Sequence, residues 1–179
     1  MVDLRFNHTL LSHKIIGTSM IPLHGLVEGV AQLLLKTHSK LVTAESCTGG
    51  LLAANLTEIP GCSQWFDRGL VTYTNDAKQE LLAVPETILL EYGAVSEEVA
   101  KAMAEGALRF SHAQVAVSIT GIAGPDGGSQ AKPVGRVCFA FAAENKAPLT
   151  LKKQFSGNRQ AVRQQACEAA LKGILHYFS

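Results

Sequence analysis

The stretch KLVTAESCTGG, residues 40–50, decides the fold of this chain. Its first half, 40–44, is short and β-branched, which is typical of a strand. The strand ends abruptly in a polar turn that closes on Gly49 and Gly50, and a helical segment begins at Leu51. The pattern predicts a strand that passes through a tight turn directly into a helix, as the strands of α/β proteins do.

Helices and strands alternate on both sides of this turn. Apolar residues recur at helical spacing before it, and a nearly continuous apolar run follows later, as expected for a central strand covered on both faces. Ser96 is predicted to cap the N-terminus of a helix. The predicted helices are 23–39, 51–57, 75–82, a short one after Pro85, and 96–111; the predicted strands are 40–44, 66–74 and 114–120.

The last third of the chain carries a different pattern. Strands are predicted at 134–142 and 149–155, joined by a short polar turn and therefore antiparallel, and a final helix starts near 156–158. Helices and strands alternate in the first part of the chain, and a β-hairpin follows in the last third. This order predicts an α/β fold, a three-layer α/β/α sandwich with a mixed sheet. We expect one domain over 21–179, preceded by an extension over 1–20. The extension is either a flexible arm, or translation begins at Met20.

Composition excludes several classes of function. The 179 residues are 47% hydrophobic and 17% charged, with a net charge of +1, which is an ordinary globular balance without the basic stripe of a duplex-binding protein. No segment approaches the length of a membrane span. The four cysteines form no C-x-x-C pair and have no histidines at ligand spacing. We therefore expect a cytoplasmic protein with reduced thiols, no metal, no cofactor, and neither nucleic acid nor membrane as partner.

Ser46 is the first candidate for chemistry. It lies where the C-terminal end of a strand enters a helix, the edge at which open α/β sheets bind ligands. Backbone N–H groups at a helix N-terminus can hold an anion or an oxyanion. Taken alone, however, the motif favours a serine that caps the helix.

A nucleophilic serine needs a base, and the histidines are badly placed to supply it. His112 precedes a strand and so lies at the wrong edge of the sheet. Better partners follow the second predicted strand, where Tyr73, Asn75 and Lys78 can all face the same edge. A lysine becomes a base when burial or a nearby cation lowers its pKa, although a solvated helix lysine is the alternative.

Two further segments point to ligand binding. Residues 118–128, SITGIAGPDGG, place four glycines directly after a central apolar strand, where backbone can approach a ligand closely. Arg159 and Arg163 are four residues apart at the start of the last helix and share a face. They can hold a phosphate or carboxylate, and two solvated arginines explain the spacing equally well.

Taken together, these segments resemble the CinA C-terminal-domain family in its stand-alone form. The resemblance covers about residues 23–178, and several long strings match in one order. The matching stretches are Thr43–Gly50, Gly69–Lys78, Gly93–Val99, Ser118–Gly128, Lys132–Arg136 and Phe155–Gln165.

The resemblance implies a five-stranded mixed sheet, homo-oligomers, and hydrolysis of nicotinamide mononucleotide to nicotinate mononucleotide and ammonia in pyridine-nucleotide recycling. It implies Ser46 as nucleophile, Lys78 as base and Tyr73 as a supporting hydroxyl. It also implies a substrate site made of Thr48, Gly49, Gly50, Asn75, Thr120, Gly121, Gly124 and Arg159.

Two alternatives remain open at this point. One is a nucleotide-binding or protein-interaction module that keeps the pocket without turnover, because some members of the family lack detectable deamidase activity. The other is a serine amidase for a different small amide. The combination of Ser46, Tyr73 and Lys78 favours the enzyme over the binding module.

Overall fold

The computed structural model describes residues 23–178, so the extension predicted at 1–20 lies outside the described residues. Five strands form one sheet with helices on both faces, which confirms the predicted three-layer mixed architecture. The strands are β1 (Leu41–Glu45), β2 (Phe66–Val71), β3 (Val115–Gly121), β4 (Arg136–Ala143) and β5 (Lys146–Gln154). The helices are α1 (Leu23–Lys36), α2 (Leu51–Thr57), α3 (Asn75–Leu82), α4 (Glu86–Tyr92), α5 (Glu97–Arg109) and α6 (Arg159–Phe178).

The strand order is β2-β1-β3-β4-β5. β1 runs parallel to both β2 and β3, whereas β4 and β5 continue the sheet in antiparallel fashion. The C-terminal residue of β1, Glu45, is in register with Val71 on one side and Ile119 on the other. Three parallel strands therefore end together, and the chain reverses its direction of winding at β1.

Two apolar layers hold the helices to the sheet. One lies between the sheet and α1, α2 and α6, and the other lies between the sheet and α3, α4 and α5. Side chains of β1 and β3 alternate between the two layers, so Leu41 and Ile119 face the first and Val42 and Ala116 the second. Both layers bury their side chains almost completely, which makes the sheet a rigid base for the loops at its edge.

Gly106 allows α5 to pack unusually close to α3. A Cβ atom at this position would lie 2.0 Å from the carbonyl oxygen of Leu82, at the last residue of α3. No side chain fits in that space, so the close approach requires glycine. The contact fixes the end of the helix that carries Lys78.

Several element boundaries differ from the sequence-based prediction for identifiable reasons. β2 ends at Val71 rather than at residue 74 because Thr74 is the N-cap of α3 and its hydroxyl accepts from the amide of Ala77. β5 begins at Lys146 because Asn145, with φ of 60°, allows a two-residue turn. The predicted cap at Ser96 is confirmed, since its hydroxyl accepts from the amide of Val99.

Candidate active site

A cavity of about 240 Å³ opens at the C-terminal edge of the three parallel strands. β1 lies between β2 and β3 there, and such switch points are where open α/β sheets bind ligands. The cavity therefore lies where the topology alone places a site. Its lining consists of Ser46, Cys47, Tyr73, Lys78, Ala94, Val95, Thr120, Gly121, Ile122, Ala123, Gly124, Asp126, Gly127 and Arg159.

Ser46 is fixed through its backbone on the floor of this cavity. Its amide donates to the carbonyl of Ile119 at 2.9 Å, which extends the β1–β3 pairing by one residue. Its carbonyl accepts from the amide of Gly49 at 3.0 Å, which closes the turn after the strand. Only 7% of the residue is exposed. The hydroxyl therefore has little positional freedom.

Glu45 caps α2 in place of Ser46. Its buried carboxylate accepts from the amides of Leu52 at 3.1 Å and Ala53 at 2.8 Å, which would otherwise be unpaired at the start of the helix. The chain returns to that point because Gly49 and Gly50 adopt left-handed φ angles of 58° and 87°. Since Glu45 fulfils the capping role, the alternative explanation of Ser46 as a helix cap does not apply.

The backbone amides next to the serine differ in whether they can reach a ligand. The amides of Cys47 and Thr48 donate to no backbone acceptor among residues 23–178. The amide of Leu51 donates to the carbonyl of Thr48, and that of Gly49 donates to the carbonyl of Ser46. The amides of Leu52 and Ala53 donate to Glu45, so none of these four can serve a ligand. Of Cys47 and Thr48, only Cys47 lines the cavity, so its amide is the candidate donor to an oxyanion at this turn.

Lys78 reaches Ser46 from the β2 side. Its Nζ lies 3.2 Å from Ser46 Oγ and donates to the carbonyl of Thr72 at 3.0 Å. The side chain is 1% exposed, and burial lowers the pKa of its amine below the ordinary lysine value, although the neighbouring Cys47 acts weakly in the opposite direction. A buried amine that reaches the serine oxygen and has a lowered pKa is suited to act as a base.

Thr120 approaches from the β3 side. Its hydroxyl donates to the carbonyl of Ala94, which also lines the cavity, at 2.7 Å. Ser118 lies two residues earlier on the same face of β3, and its hydroxyl donates to the carbonyl of Ala100 at 2.6 Å. These two bonds fix β3 to the start of α5 and to the loop before it.

Arg159 and Tyr73 form the exposed side of the cavity. Arg159 donates through Nη2 to the hydroxyl of Tyr73 at 2.8 Å and through Nη1 to the carbonyl of Gly124 at 3.0 Å. Tyr73 is 55% exposed. Arg163, one turn further along α6, instead donates twice to the carbonyl of Thr48, at 2.6 and 3.2 Å. Of the two predicted arginines, only Arg159 lines the cavity.

Not every residue that the sequence suggested reaches the cavity. Ser46, Lys78, Tyr73, Thr120, Gly121, Gly124 and Arg159 line it, whereas Thr48, Gly49, Gly50 and Asn75 do not. Thr48 is buried behind the turn, and Asn75 is exposed at the first residue of α3. The two glycines shape the turn through their φ angles.

Sequence reasoning missed Glu45, and it included Asp126 only as a member of the predicted ligand-binding segment 118–128. The spacing of Glu45 fits no known capping motif, because it accepts from amides seven and eight positions later rather than two or three. Asp126 lines the cavity within the glycine-rich loop and is the only carboxylate among the lining residues. Its position in the motif PDGG was the available signal.

Within residues 23–178, no histidine lines the cavity and no group of three or more His, Cys, Asp or Glu side chains is placed to hold a metal ion. His112 lies at the opposite edge of the sheet, where its amide approaches Asp67, as its position before β3 predicted. The same described residues contain no helix that is long and apolar enough to cross a membrane.

Comparisons with known proteins identify the family of this chain. The family model described as "CinA C-terminal domain" matches residues 23–178. A protein of Enterobacter agglomerans named nicotinamide-nucleotide amidohydrolase PncC is 58% identical over 135 residues, 75% of this chain and 82% of its own length. The protein of the same name from Escherichia coli K12 is 51% identical over 153 residues, 86% of this chain and 93% of its own.

Solved structures agree as well. The crystal structure of the competence/damage inducible protein CihA from Agrobacterium tumefaciens superposes with a TM-score of 0.86 at 42% identity. The match covers 90% of this chain and the whole of that one. At this identity the likeness extends beyond the general architecture of the sheet and helices.

Proposed function

The chain belongs to the CinA C-terminal domain family, and from this premise we propose that it hydrolyses the carboxamide of nicotinamide mononucleotide to nicotinate mononucleotide and ammonia. The similar proteins named nicotinamide-nucleotide amidohydrolase support the substrate. We further propose that Ser46 is the nucleophile and Lys78 its base. We also propose that the reaction belongs to pyridine-nucleotide recycling.

One observation carries the mechanistic proposal, namely the buried contact between Ser46 and Lys78. The 3.2 Å separation of Oγ and Nζ is within reach for proton transfer. Ser46 has no capping role, because Glu45 caps α2. Lys78 also donates to the carbonyls of Thr72, Tyr73 and Thr74, which hold its amine in place beside the serine. A buried lysine with a lowered pKa beside a serine is what nucleophilic catalysis without a histidine requires.

In the first half of the proposed reaction, neutral Lys78 takes the hydroxyl proton as Ser46 Oγ bonds to the carboxamide carbon. The carbonyl π electrons move onto oxygen, and the amide of Cys47, which lines the cavity, holds the resulting oxyanion. When the carbonyl re-forms, the carbon–nitrogen bond breaks. Lys78 returns its proton to the nitrogen, so that ammonia leaves and an acyl group remains on Ser46.

The second half uses water in place of the serine. Lys78 takes one proton from water, whose oxygen bonds to the acyl carbon. The bond from that carbon to Ser46 Oγ then breaks, and the proton returns to the serine. The sum is one amide and one water converted to one acid and one ammonia, with Ser46 and Lys78 restored and no metal or redox partner involved.

Charges on the rim suit the rest of the nucleotide. Arg159 carries the positive charge at the rim. Its guanidinium can donate charge-assisted hydrogen bonds to the phosphate of the mononucleotide. We propose that Tyr73 orients Arg159, since its hydroxyl oxygen accepts from the guanidinium and its own proton is left to donate. Asp126 supplies a negative charge for the cationic pyridinium ring or a hydrogen-bond acceptor for the ribose.

The proposal extends to a cytoplasmic location. It is supported by the four cysteines, all of which are free thiols in the structure. Formation of homo-oligomers, expected from the resemblance, stays a prediction that size-exclusion chromatography with light scattering can test.

The decisive experiment is ammonia release by the purified protein, with a chelating agent present, from nicotinamide mononucleotide and from plain nicotinamide. We expect release from the mononucleotide and little from the free base. The matched control is Ser46→Ala, which excludes a contaminating amidase. A folded protein that binds the mononucleotide but releases no ammonia would instead be the binding module, and the proposed activity would be wrong.

A further inference from the structure

Arg163 binds the turn that carries the proposed nucleophile, and it does so from outside the cavity. Its Nε and Nη2 both donate to the carbonyl oxygen of Thr48, at 3.2 and 2.6 Å. The two bonds join α6 to a loop that lies 115 positions earlier in the chain. Arg163 does not line the cavity, so it does not contact a ligand there directly. Any effect that it has on the reaction must therefore pass through the turn.

The carbonyl of Thr48 lies where two consecutive turns meet. In the first turn, the amide of Gly49 donates to the carbonyl of Ser46 at 3.0 Å. In the second, the amide of Leu51 donates to the carbonyl of Thr48 at 3.2 Å. One peptide unit thus supplies the donor of the first turn and the acceptor of the second. Because a peptide unit is planar, a bond that fixes its carbonyl also fixes its N–H, and so Arg163 acts on the carbonyl of Ser46.

The residues of the turn itself restrain this peptide unit weakly. Gly49 and Gly50 adopt φ angles of 58° and 87°, and glycine has more backbone freedom than any other residue. Within residues 23–178, the buried hydroxyl of Thr48 has no hydrogen-bond partner, so its side chain adds no polar restraint. Arg163 adds a charged donor pair on a helix that is fixed by fully buried neighbours such as Val162. The arginine therefore ties the flexible turn to a packed helix.

We propose that Arg163 is a positioning residue for the hydrolysis, which holds Ser46 within reach of Lys78 without touching the substrate. This role rests on the proposed function and deepens it, because it separates two arginines that share a face of α6. Arg159 faces the ligand and Arg163 faces the turn. The 3.2 Å contact between Ser46 Oγ and Lys78 Nζ leaves little tolerance, since a displacement of about 1 Å takes the two atoms out of hydrogen-bond reach.

The test compares Arg163→Met with Arg163→Lys. Methionine removes the charge and both donors, whereas lysine keeps the charge but not the planar fork that donates twice. The readouts are kcat and KM for nicotinamide mononucleotide, with and without guanidinium chloride far below its denaturing concentration. We expect Arg163→Met to lower kcat about 10- to 100-fold, with KM within about twofold of the wild type. Arg163→Lys should lower kcat at least about threefold, and free guanidinium should restore part of the kcat of Arg163→Met.

Arg68→Met is the matched control, because Arg68 also donates to a backbone carbonyl, that of Phe110, and does not line the cavity. It should leave kcat and KM unchanged, and guanidinium should have no effect on it. A rise in KM at constant kcat in Arg163→Met would make Arg163 a substrate-binding residue and overturn the inference. An unchanged kcat, or a loss that guanidinium does not restore, would overturn it as well. If Arg163→Met does not fold, a kcat of Arg163→Lys equal to that of the wild type has the same meaning.

A readout that needs no amide substrate tells failure of the proposed function apart from failure of this role. A fluorophosphonate forms a phosphorus–oxygen bond with an activated serine as fluoride leaves and the base takes the hydroxyl proton. Mass spectrometry measures the rate at Ser46. If the wild type releases no ammonia, modification that is slower in Arg163→Met and normal in Arg68→Met supports positioning without amide hydrolysis. Equal rates in the wild type and Arg163→Met, or no modification of the wild type, would refute it.

Discussion

The floor and the rim of the cavity are built in opposite ways. We define the floor as Ser46, Lys78 and Thr120, whose exposed fractions are 7%, 1% and 1%. The rim is Tyr73, Asp126 and Arg159, all of them exposed. Each floor side chain is on, or packed against, the sheet edge and bonds to backbone or to another floor residue. Arg159 and Tyr73 instead bond to each other and to the backbone of a glycine loop.

The difference separates chemistry from recognition. Groups that move protons need fixed positions and a low dielectric, in which small displacements are costly and pKa values shift. Groups that bind a phosphate or a sugar must admit and release a large polar ligand, so exposure suits them. We therefore expect floor substitutions to act mainly on kcat and rim substitutions mainly on KM.

The largest effect should come from the floor pair. Ser46→Ala and Lys78→Met should each lower kcat by at least about a thousandfold, because the two side chains act on the same proton. The double variant should be little worse than either single variant. Steady-state ammonia release measures all three, and mass spectrometry of the native enzyme after rapid quenching should detect an acyl adduct on Ser46. Substantial kcat in Ser46→Ala together with no adduct would mean direct attack by water.

The sequence predicted local structure well because periodicity and turn residues are local properties. The bounds of α2 and α3 match their predicted ranges, and the position of Ser46 at the end of a strand was evident from residues 40–50. The two arginines show the limit of this approach. Arg159 and Arg163 are equivalent in spacing, yet one lines the cavity and the other binds the carbonyl of Thr48. Only the packing of α6 against two different loops distinguishes them.

Long-range pairings were beyond the reach of local pattern. Nothing in the sequence states that β1 pairs with both β2 and β3, and this pairing is what brings Lys78 and Thr120 to opposite flanks of Ser46. Arg159 and Tyr73 meet across 86 positions of sequence. Glu45 caps α2 only because two left-handed glycines return the chain to it. The resemblance to a known family supplied the grouping that spacing could not.

Glu45 offers the next largest effect, on the stability of the turn beneath the floor. Glu45→Ala leaves the amides of Leu52 and Ala53 without their acceptor in a buried setting. We expect the free energy of unfolding to fall by about 2–4 kcal/mol, measured by urea denaturation. Glu58→Ala, at an exposed glutamate at the other end of α2, should change it by less than about 0.5 kcal/mol. Equal stability of the two variants would show that the carboxylate does not secure the turn.

Arg159 tests the rim. Arg159→Ala should raise KM for the mononucleotide about 10- to 100-fold, the loss expected for one charged hydrogen-bonded contact, with a smaller decrease in kcat. The native enzyme should use the dephosphorylated riboside poorly, and Arg159→Ala should narrow the difference between riboside and mononucleotide. Equal turnover of the two by the native enzyme would refute a phosphate anchor on the rim. A loss confined to kcat would place Arg159 with the floor instead.

The lowered pKa of Lys78 predicts how stability depends on pH. Between this pKa and the ordinary value of 10.5, the unfolded chain binds a proton that folded Lys78 does not. The free energy of unfolding of the wild type should therefore rise with pH in that window, relative to Lys78→Met, by at most about 1.4 kcal/mol per pH unit. Urea denaturation at several values between pH 7 and 10 measures the difference. The value of kcat should rise with pH up to the lowered pKa of Lys78, where the base becomes neutral, and should level off within the window. A flat difference would contradict a lowered pKa.

The smallest effect should come from Cys47, which is the nearest rival to Ser46 and the sharpest test of which side chain forms the floor. A thiol is the stronger nucleophile by type, and Cys47 also lines the cavity. However, it is 5% exposed, packs in the apolar layer beside α2, and burial raises the pKa of its thiol to about 12. A thiol with so high a pKa carries very little of the reactive thiolate near neutral pH. Cys47→Ala should therefore keep kcat within about threefold of the wild type and cost about 1 kcal/mol of stability through lost packing.

Cys62→Ala, a half-buried thiol away from the cavity, is the matched control for the loss of a cysteine. An inactive Cys47→Ala beside an active Ser46→Ala would reverse the assignment of the nucleophile.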